Sequence, residues 1–239
     1  MVIAVLAILS GLVLPKLDVF KLKANKATAA ANMAGVNRFV ESFKVQKDVY
    51  PDKWDSLLDA ATLNSLFTEL DPQLTGSLPA TPKKLTTTTL ATDNELRSLI
   101  RVGVTQVMDH TTGGFPGNSA TTVPRTLAVN DTIATIDPND GDGLAILAGF
   151  YPDVVNPTPA NLPPAGLKVA VFGLGPRNQM IGNTLYSAPF YANTDQLKYY
   201  NRFLVCYEIK TDGSRARLLG TLGADADPIG DELIDFYEN

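Results

Sequence analysis

The chain opens with fifteen apolar or small residues and no charge, in the run MVIAVLAILSGLVLP. At a helical rise of about 1.5 Å per residue, Met1 to Pro15 would cover roughly 22 Å, which is shorter than a bilayer core requires. A helix that is apolar on every side must be covered by lipid or by protein. The pattern therefore predicts a helix that is sheltered from water by something outside it.

The next segment, 16–47, favours a helix and has no proline before Pro51. One set of apolar residues recurs at spacings of three and four, which predicts a buried face that packs on the head of the protein: Met33, Val36, Val40 and Phe43. A second, less apolar set of residues on this segment predicts a face that packs against another helix. The alternative explanation is that alanine simply favours helix. The residues of this set are Leu17, Phe20, Ala24, Ala27 and Ala31.

The middle of the chain predicts short helices and loops. VYPDKWDSLLDAATLNSLFTEL predicts a turn at Tyr50 followed by a helix that buries Trp54. DPQLTGSLPATPKKLTTTTLATD is rich in proline and threonine and predicts an exposed loop. DNELRSLIRVGVTQVMDH has a helical period, and we expect Asp93 to cap that helix.

Short β-favouring runs follow, separated by Gly, Pro, Asn and Asp. They are RTLAVNDTIATI, LAILAGFY, LKVAVFGL, NRFLVCYEI and RARLLGTL. Asp212-Gly213 between the last two predicts a hairpin turn. The expected fold is α+β, with a long amino-terminal helix (1–47) packed on a mainly antiparallel sheet with extra short helices in a head domain (48–239).

Charge and composition limit the classes of function that the chain can have. Twenty basic against twenty-five acidic residues give a formal charge of −5, which argues against a nucleic-acid partner. With Cys206 as the one cysteine, no disulfide can form within the chain, and its apolar surroundings predict a core residue rather than a nucleophile. The one histidine, His110, has no evident catalytic neighbours in sequence, so we expect no enzyme activity.

The run MVIAVLAILSGLVLPKL, together with VYPDKWDSLLD, resembles the type IV pilin and type II secretion pseudopilin superfamily over Met1 to Asp59. Pro15 corresponds to the proline of that family's apolar helix. The resemblance implies a structural subunit that is held in the inner membrane, processed and methylated by a prepilin peptidase, and assembled by dedicated machinery into a cell-surface pilus or a periplasmic pseudopilus. Aligned on Pro15, about seven of the family's first mature residues, including its glutamate, would precede Met1 and complete a bilayer-length span.

This resemblance implies a mechanism of assembly. Apolar side chains of neighbouring subunits would cover one another in a helical homopolymer, at a gain of about 25 cal/mol for each Å² kept from water. The predicted packing residues of this first segment are Val2, Val5, Leu6, Leu9 and Leu12. Pro15 cannot donate to the carbonyl of Gly11, so we expect the helix to unwind, or at least to kink, between Ser10 and Pro15. The alternative function is a membrane-tethered periplasmic binding domain or hydrolase that acts as a monomer.

Two acidic stretches are candidate calcium sites, and no other cofactor is expected. DPNDGDG offers oxygen ligands in one turn-rich loop, although it lacks the downstream glutamate of an EF-hand, and a solvated turn is the alternative: Asp137, Asn139, Asp140 and Asp142. The carboxyl-terminal LGADADPIGDE resembles the calcium loop of major pseudopilins, which implies Asp225 and Asp227 as ligands.

Overall fold

A mixed β-sheet of eight strands is the framework of the residues that the structure, a computed structural model, describes: 27–63, 84–111, 122–190 and 200–230. Three helices flank it in these ranges: α1 (27–47), α2 (Asp93–Ile100) and α3 (Gly141–Phe150). The strands are β1 (Trp54–Asp59), β2 (Leu85–Thr89), β3 (Gln106–His110), β4 (Thr122–Thr126), β5 (Thr132–Ile136), β6 (Leu167–Gly173), β7 (Leu204–Lys210) and β8 (Arg217–Leu222).

Hydrogen bonds join the strands in the order β2-β5-β6-β1-β3-β4, and β7 and β8 extend from β6. β1 runs parallel to β3, whereas the other pairings between these strands are antiparallel. A parallel pair requires a long crossover, because the chain must return to the same end of the sheet. Between β1 and β3 the chain carries β2 and α2.

Two hydrophobic cores lie on opposite faces of the sheet. On β6, Phe172 points into one core and Val171 into the other; on β7, Tyr207 and Cys206 divide in the same way. This division follows from the two-residue period of a strand. Helices α1 and α2 contribute to the first core, and α3 contributes to the second.

Helix α1 is amphipathic in the way that its sequence period indicates. Met33, Val36, Val40 and Phe43 are buried in the first core. Tyr50 follows the helix and packs edge-on against Tyr207 of β7, with ring centroids 5.2 Å apart. Its hydroxyl accepts a hydrogen bond from Lys44 Nζ at 2.8 Å, so the end of the helix is tied to the turn that leaves it.

Strand β1 is short, central and buried along its whole length. Its register with β3 shifts between Asp55 and Asp59, and Leu57 has a φ of +62° within this irregularity. A bulge of this kind disrupts the pairing of the two strands locally. Trp54 enters the first core and Leu57 the second, so β1 contributes side chains to both faces of the sheet.

The predicted fold class was wrong. We expected a long amino-terminal helix packed on a mainly antiparallel sheet, whereas the described chain is dominated by a mixed eight-stranded sheet with short helices. The first described helix covers 27–47. None of the described helices combines the length and the hydropathy needed to cross a membrane. The reason is that several segments read as helix or loop are strands of the sheet.

Five local predictions are wrong. WDSLLD and QVMDH are strands rather than helices, and LTTTT is a strand rather than a loop. LAILAGF is helical, whereas we expected a strand. The cap of α2 is Thr92, whose side chain accepts from Glu95 N, rather than Asp93. Short apolar runs fit either period, so tertiary pairing decides between helix and strand.

Other predictions are confirmed. LKVAVFG forms β6, and the hairpin of β7 and β8 is antiparallel, with Gly213 at a φ of +79°. RTLAVNDTIATI, which was predicted as one β run, is correct only in part, because residues 127–131 separate the end of β4 from β5. Cys206 is fully buried, and burial raises the pKa of its thiol, which suits a core residue rather than a nucleophile.

Candidate functional site

The outer face of α1 is the candidate assembly surface. Ala31 is exposed and Gly35 is half-buried on the side opposite the core, and the first charged residue of the described helix is Arg38. Phe39 is also exposed beside this face, with 39% of its surface accessible. The first three turns of the helix thus present an uncharged surface of small side chains, on which a second helix can approach closely.

The other predicted assembly residues divide between described and undescribed parts of the chain. Ala27 is half-buried at the start of α1, and Ala31 lies on its exposed face. The remaining residues of the predicted packing set lie outside the described residues, as do those of the predicted unwinding site: Val2, Val5, Leu6, Leu9, Ser10, Gly11, Leu12, Pro15, Leu17, Phe20 and Ala24.

The first acidic stretch is organised around the start of α3. Asp140 is the N-cap of that helix, and its Oδ1 accepts from the amides of Asp142 and Gly143 at 3.1 and 2.9 Å. Asp137 Oδ1 accepts from the amide of Asn139 at 2.9 Å within the preceding turn. These carboxylates therefore hold the local backbone, which is the common use of Asp at caps and turns.

Replacing Asp140 with alanine is expected to reduce the free energy of unfolding by about 1 kcal/mol, because two amides at the start of α3 lose their acceptor. Chemical denaturation of the two proteins measures the difference. Asp140→Asn, which keeps a capping oxygen, is the control and should retain most of the stability. Equal losses in the two variants would show that the negative charge, not the cap, is what the site requires.

The second acidic stretch lies against a buried lysine that the sequence analysis missed. Lys84 Nζ donates to the backbone carbonyl of Asp225 at 3.2 Å and to the carboxylate of Asp227. Burial by itself lowers the pKa of Lys84, but the negative charges of Asp227, Asp225 and Asp142 raise it above its ordinary value overall. The ammonium group is therefore held charged among these oxygens.

These residues do not fit a calcium ion as they are arranged here. Calcium takes six to eight oxygen ligands. The Asp227 carboxylate and the Asp225 carbonyl, which such an ion would need, face the Lys84 ammonium instead. Among the described residues, no group of three or more His, Cys, Asp or Glu side chains is placed to hold a metal ion. Nothing in the sequence near Lys84 indicates this contact, because the partners are 143 residues apart.

A buried polar cluster joins β1, β3 and the segment before β7. Tyr200 donates its hydroxyl hydrogen to Asp55 Oδ2 at 2.9 Å, and His110 Nε2 lies 3.9 Å from the same oxygen. Asp55 Oδ1 has no hydrogen-bond partner in the part of the chain that the structure describes. A Cβ at Gly175 would overlap the carboxylate, and one at Gly173 would overlap the Tyr200 hydroxyl, so both positions require glycine.

Burial shifts the titration of two groups of this cluster in opposite directions. It raises the pKa of Asp55 from 3.8 to about 7, even though the hydrogen bond from Tyr200 and the charges of Arg202 and Arg177 act against it. It lowers the pKa of His110 from 6.5 to about 4. The cluster is enclosed, which makes it a poor place to bind a substrate.

A second buried carboxylate is paired with an arginine. Arg125 on β4 donates to both oxygens of Asp109 on β3, from Nε at 2.5 Å and from Nη2 at 3.1 Å. Its Nη1 contacts Asp131 at 2.6 Å. The Asp109 side chain is 4% exposed, so this two-point contact supplies most of the polar partners of the buried carboxylate.

An open cleft of about 500 Å³ lies beside the turn that joins β7 to β8. Glu208 and Arg217 meet in its wall through two hydrogen bonds of 2.9 Å, and Tyr151 lies beside Glu208. The opposite charges of Glu208 and Arg217 neutralise each other. The Glu208 carboxylate in the wall of the cleft is therefore held by Arg217.

Comparison with protein-family models, with curated proteins and with solved structures finds no match for this chain.

Proposed function

We propose that this chain is a structural, pilin-like subunit that polymerises through its apolar amino-terminal residues and the outer face of α1. The observation that carries the proposal is the two-sided character of that helix. Its inner face is buried in the first core, whereas the outer face of its first turns is uncharged and small. A rigid head is thereby attached to a helix whose remaining face is suited to another helix.

The position of this face in the chain supports the same proposal. Residues 27–37 carry no charge, and the apolar run that ends at Pro15 precedes them in the sequence. Exposing such a run to water is unfavourable by about 25 cal/mol for each Å² of apolar surface. Identical neighbours can cover it by a heterologous contact, and a heterologous contact that does not close produces an open helical polymer.

In this proposal the sheet and its other helices form the outward part of each subunit and carry no catalytic residue. The subunit resides in the inner membrane before assembly and then in a cell-surface pilus or a periplasmic pseudopilus. Its main partner is a second copy of itself, together with the peptidase and the assembly machinery that the resemblance implies.

Electron microscopy of the full chain, purified in detergent and then transferred out of it, tests the proposal. We expect filaments for the unaltered chain and few or none for Ala31→Arg, because a guanidinium group on the small face prevents close helix packing and would be buried without a partner. Ala31 is exposed, so the head should keep its fold, which circular dichroism checks.

Val155→Arg is the matched control, because it places the same side chain at an exposed apolar position after α3, on the opposite side of the sheet. It should form filaments normally. Dispersed monomers of the unaltered chain would contradict the proposal and favour the tethered binding domain. Filaments of Ala31→Arg as abundant as those of the unaltered chain would remove α1 from the interface.

A further inference from the structure

The two acidic stretches that the sequence offers as separate calcium sites converge on Lys84. The amide of Asp137 donates to the Lys84 carbonyl at 2.9 Å, which places the first stretch beside this residue. The second stretch reaches its side chain through Asp225 and Asp227. Three parts of the chain, the start of β2, the turn before α3 and the carboxyl-terminal loop, thus meet at Lys84.

Two backbone hydrogen bonds close the loop 223–228, which follows β8 and carries Asp225 and Asp227. The amide of Gly223 donates to the Asp227 carbonyl at 2.8 Å, and the amide of Ala226 donates to the Gly223 carbonyl at 3.1 Å. Ala226 is fully buried in the second core with a φ of +60°. The loop thus folds inward, and it brings the acidic groups of Asp225 and Asp227 with it.

Inward folding of two aspartates requires a positive charge, because buried anions are unfavourable unless they are paired. The lysine side chain is 10% exposed and its Asp227 partner is 25% exposed, so water screens the contact only in part. The negative charge of Asp142 adds to the field at the ammonium. A single cation of the chain itself therefore contacts the oxygens of the second stretch and lies in the electric field of one carboxylate of the first.

We propose that the Lys84 ammonium is the structural cation of the carboxyl-terminal loop, so that residues 223–228 close without a divalent metal ion. This inference departs from the calcium loop that the pseudopilin resemblance implies, and it is independent of filament assembly. It also gives a reason for Asp225, Asp227 and Asp142, whose negative charges favour the charged form of the lysine inside the protein.

Thermal unfolding of the full chain in a nonionic detergent, with calcium chloride or with EDTA, tests this inference. We expect the same midpoint in both solutions for the unaltered chain. Lys84→Met should lower the midpoint by roughly 5–10 °C, because the Asp227 carboxylate loses its cation. Lys84→Arg should retain most of the stability, because it keeps the charge.

Lys168→Met is the matched control. Lys168 Nζ contacts a carboxylate, Glu95 Oε2, and a backbone carbonyl, Thr89, each at 2.9 Å, so it has the same kinds of partner in another part of the sheet. Hydrogen exchange supplies a local readout. The Gly223 amide should exchange faster in Lys84→Met, or in Lys84→Gln if the methionine variant does not fold, and should keep its protection in Lys168→Met.

Two results would overturn the inference. One is a midpoint of the unaltered chain that falls in EDTA and returns with calcium, since the loop would then be a metal site. The other is Gly223 protection that does not change when the charge of Lys84 is removed, since the ammonium would then not hold the loop.

Discussion

Replacing Arg125 with methionine is expected to lower the free energy of unfolding by about 3–5 kcal/mol, because the buried Asp109 carboxylate loses its two-point partner. Asp131 loses a contact of 2.6 Å in the same variant. At roughly 2–4 °C for each kcal/mol in a domain of this size, the melting midpoint should fall by about 10 °C. Denaturant titration followed by tryptophan fluorescence measures the change, since Trp54 lies in the core.

Two further variants separate the cost of the stranded charge from lost packing. Arg38→Met alters an exposed arginine on α1 and should change stability by less than about 0.5 kcal/mol. The double variant Asp109→Leu with Arg125→Met should recover most of the loss, because an apolar pair can replace a buried ion pair at little cost. A single Arg125→Met variant as stable as Arg38→Met would show that Asp109 does not depend on the arginine.

The dependence of stability on pH should change slope in opposite senses when Asp55 and His110 are replaced singly. Burial raises the pKa of Asp55 to about 7, so between about pH 4 and pH 7 the unfolded chain loses a proton that the folded chain keeps. This group therefore makes the protein less stable as pH rises through that window. His110, with a pKa lowered to about 4, stays neutral when folded, so its contribution is lost as pH falls from 6.5 to about 4.

In the unaltered chain these two effects oppose each other between about pH 4 and 6.5 and should nearly cancel. In His110→Phe, stability should decrease with rising pH by roughly 1 kcal/mol for each pH unit relative to the unaltered chain. In Asp55→Asn, stability should instead decrease with falling pH by a similar amount per unit. Denaturant titrations at several pH values measure these slopes.

Asp153→Asn, at an exposed position after α3, is the control and should leave the slope of the unaltered chain as it is. Variants of Asp55 and His110 that both keep the original slope would mean that neither group titrates abnormally in the folded chain. The comparison depends on slopes rather than on absolute stabilities, so a constant loss of stability in either variant does not affect it.

The parts of the fold that could be predicted are those where local pattern and tertiary environment agree. The spacing of Met33, Val36, Val40 and Phe43 suits one buried helix face, and those residues are buried together. The hairpin of β7 and β8 depends on a turn of a few residues with glycine at a positive φ.

Where the pattern and the environment disagree, the sequence reading fails. WDSLLD has helix-favouring residues, yet pairing with β3 and β6 makes it a central strand. LAILAGF is apolar enough for a buried strand, but the Asp140 cap and the second core make it a helix. A short run that is mostly apolar is compatible with either period, so the choice depends on neighbours that are distant in the chain.

The candidate sites could likewise be predicted only where their residues are close together in the sequence. Acidic residues in turns suggest calcium because their oxygens are visible in the sequence, whereas the lysine that meets them is 141 residues from Asp225. The Asp55–Tyr200 hydrogen bond spans 145 residues, and the glycines that make room for it have no local signature. Contacts of this kind are set by how the sheet is ordered, which a single sequence does not display.

By itself the sequence determined the uncharged apolar start of the chain, the amphipathic face of α1, the β7–β8 hairpin and the burial of Cys206. Only the tertiary structure decided the mixed order of the sheet, the strand character of β1 and the role of Lys84 as partner of the acidic loop. The physical reason is the distance along the chain over which each kind of interaction acts. Periodicity, capping and turn preference act over a few residues, whereas strand pairing and charge compensation join residues more than a hundred positions apart.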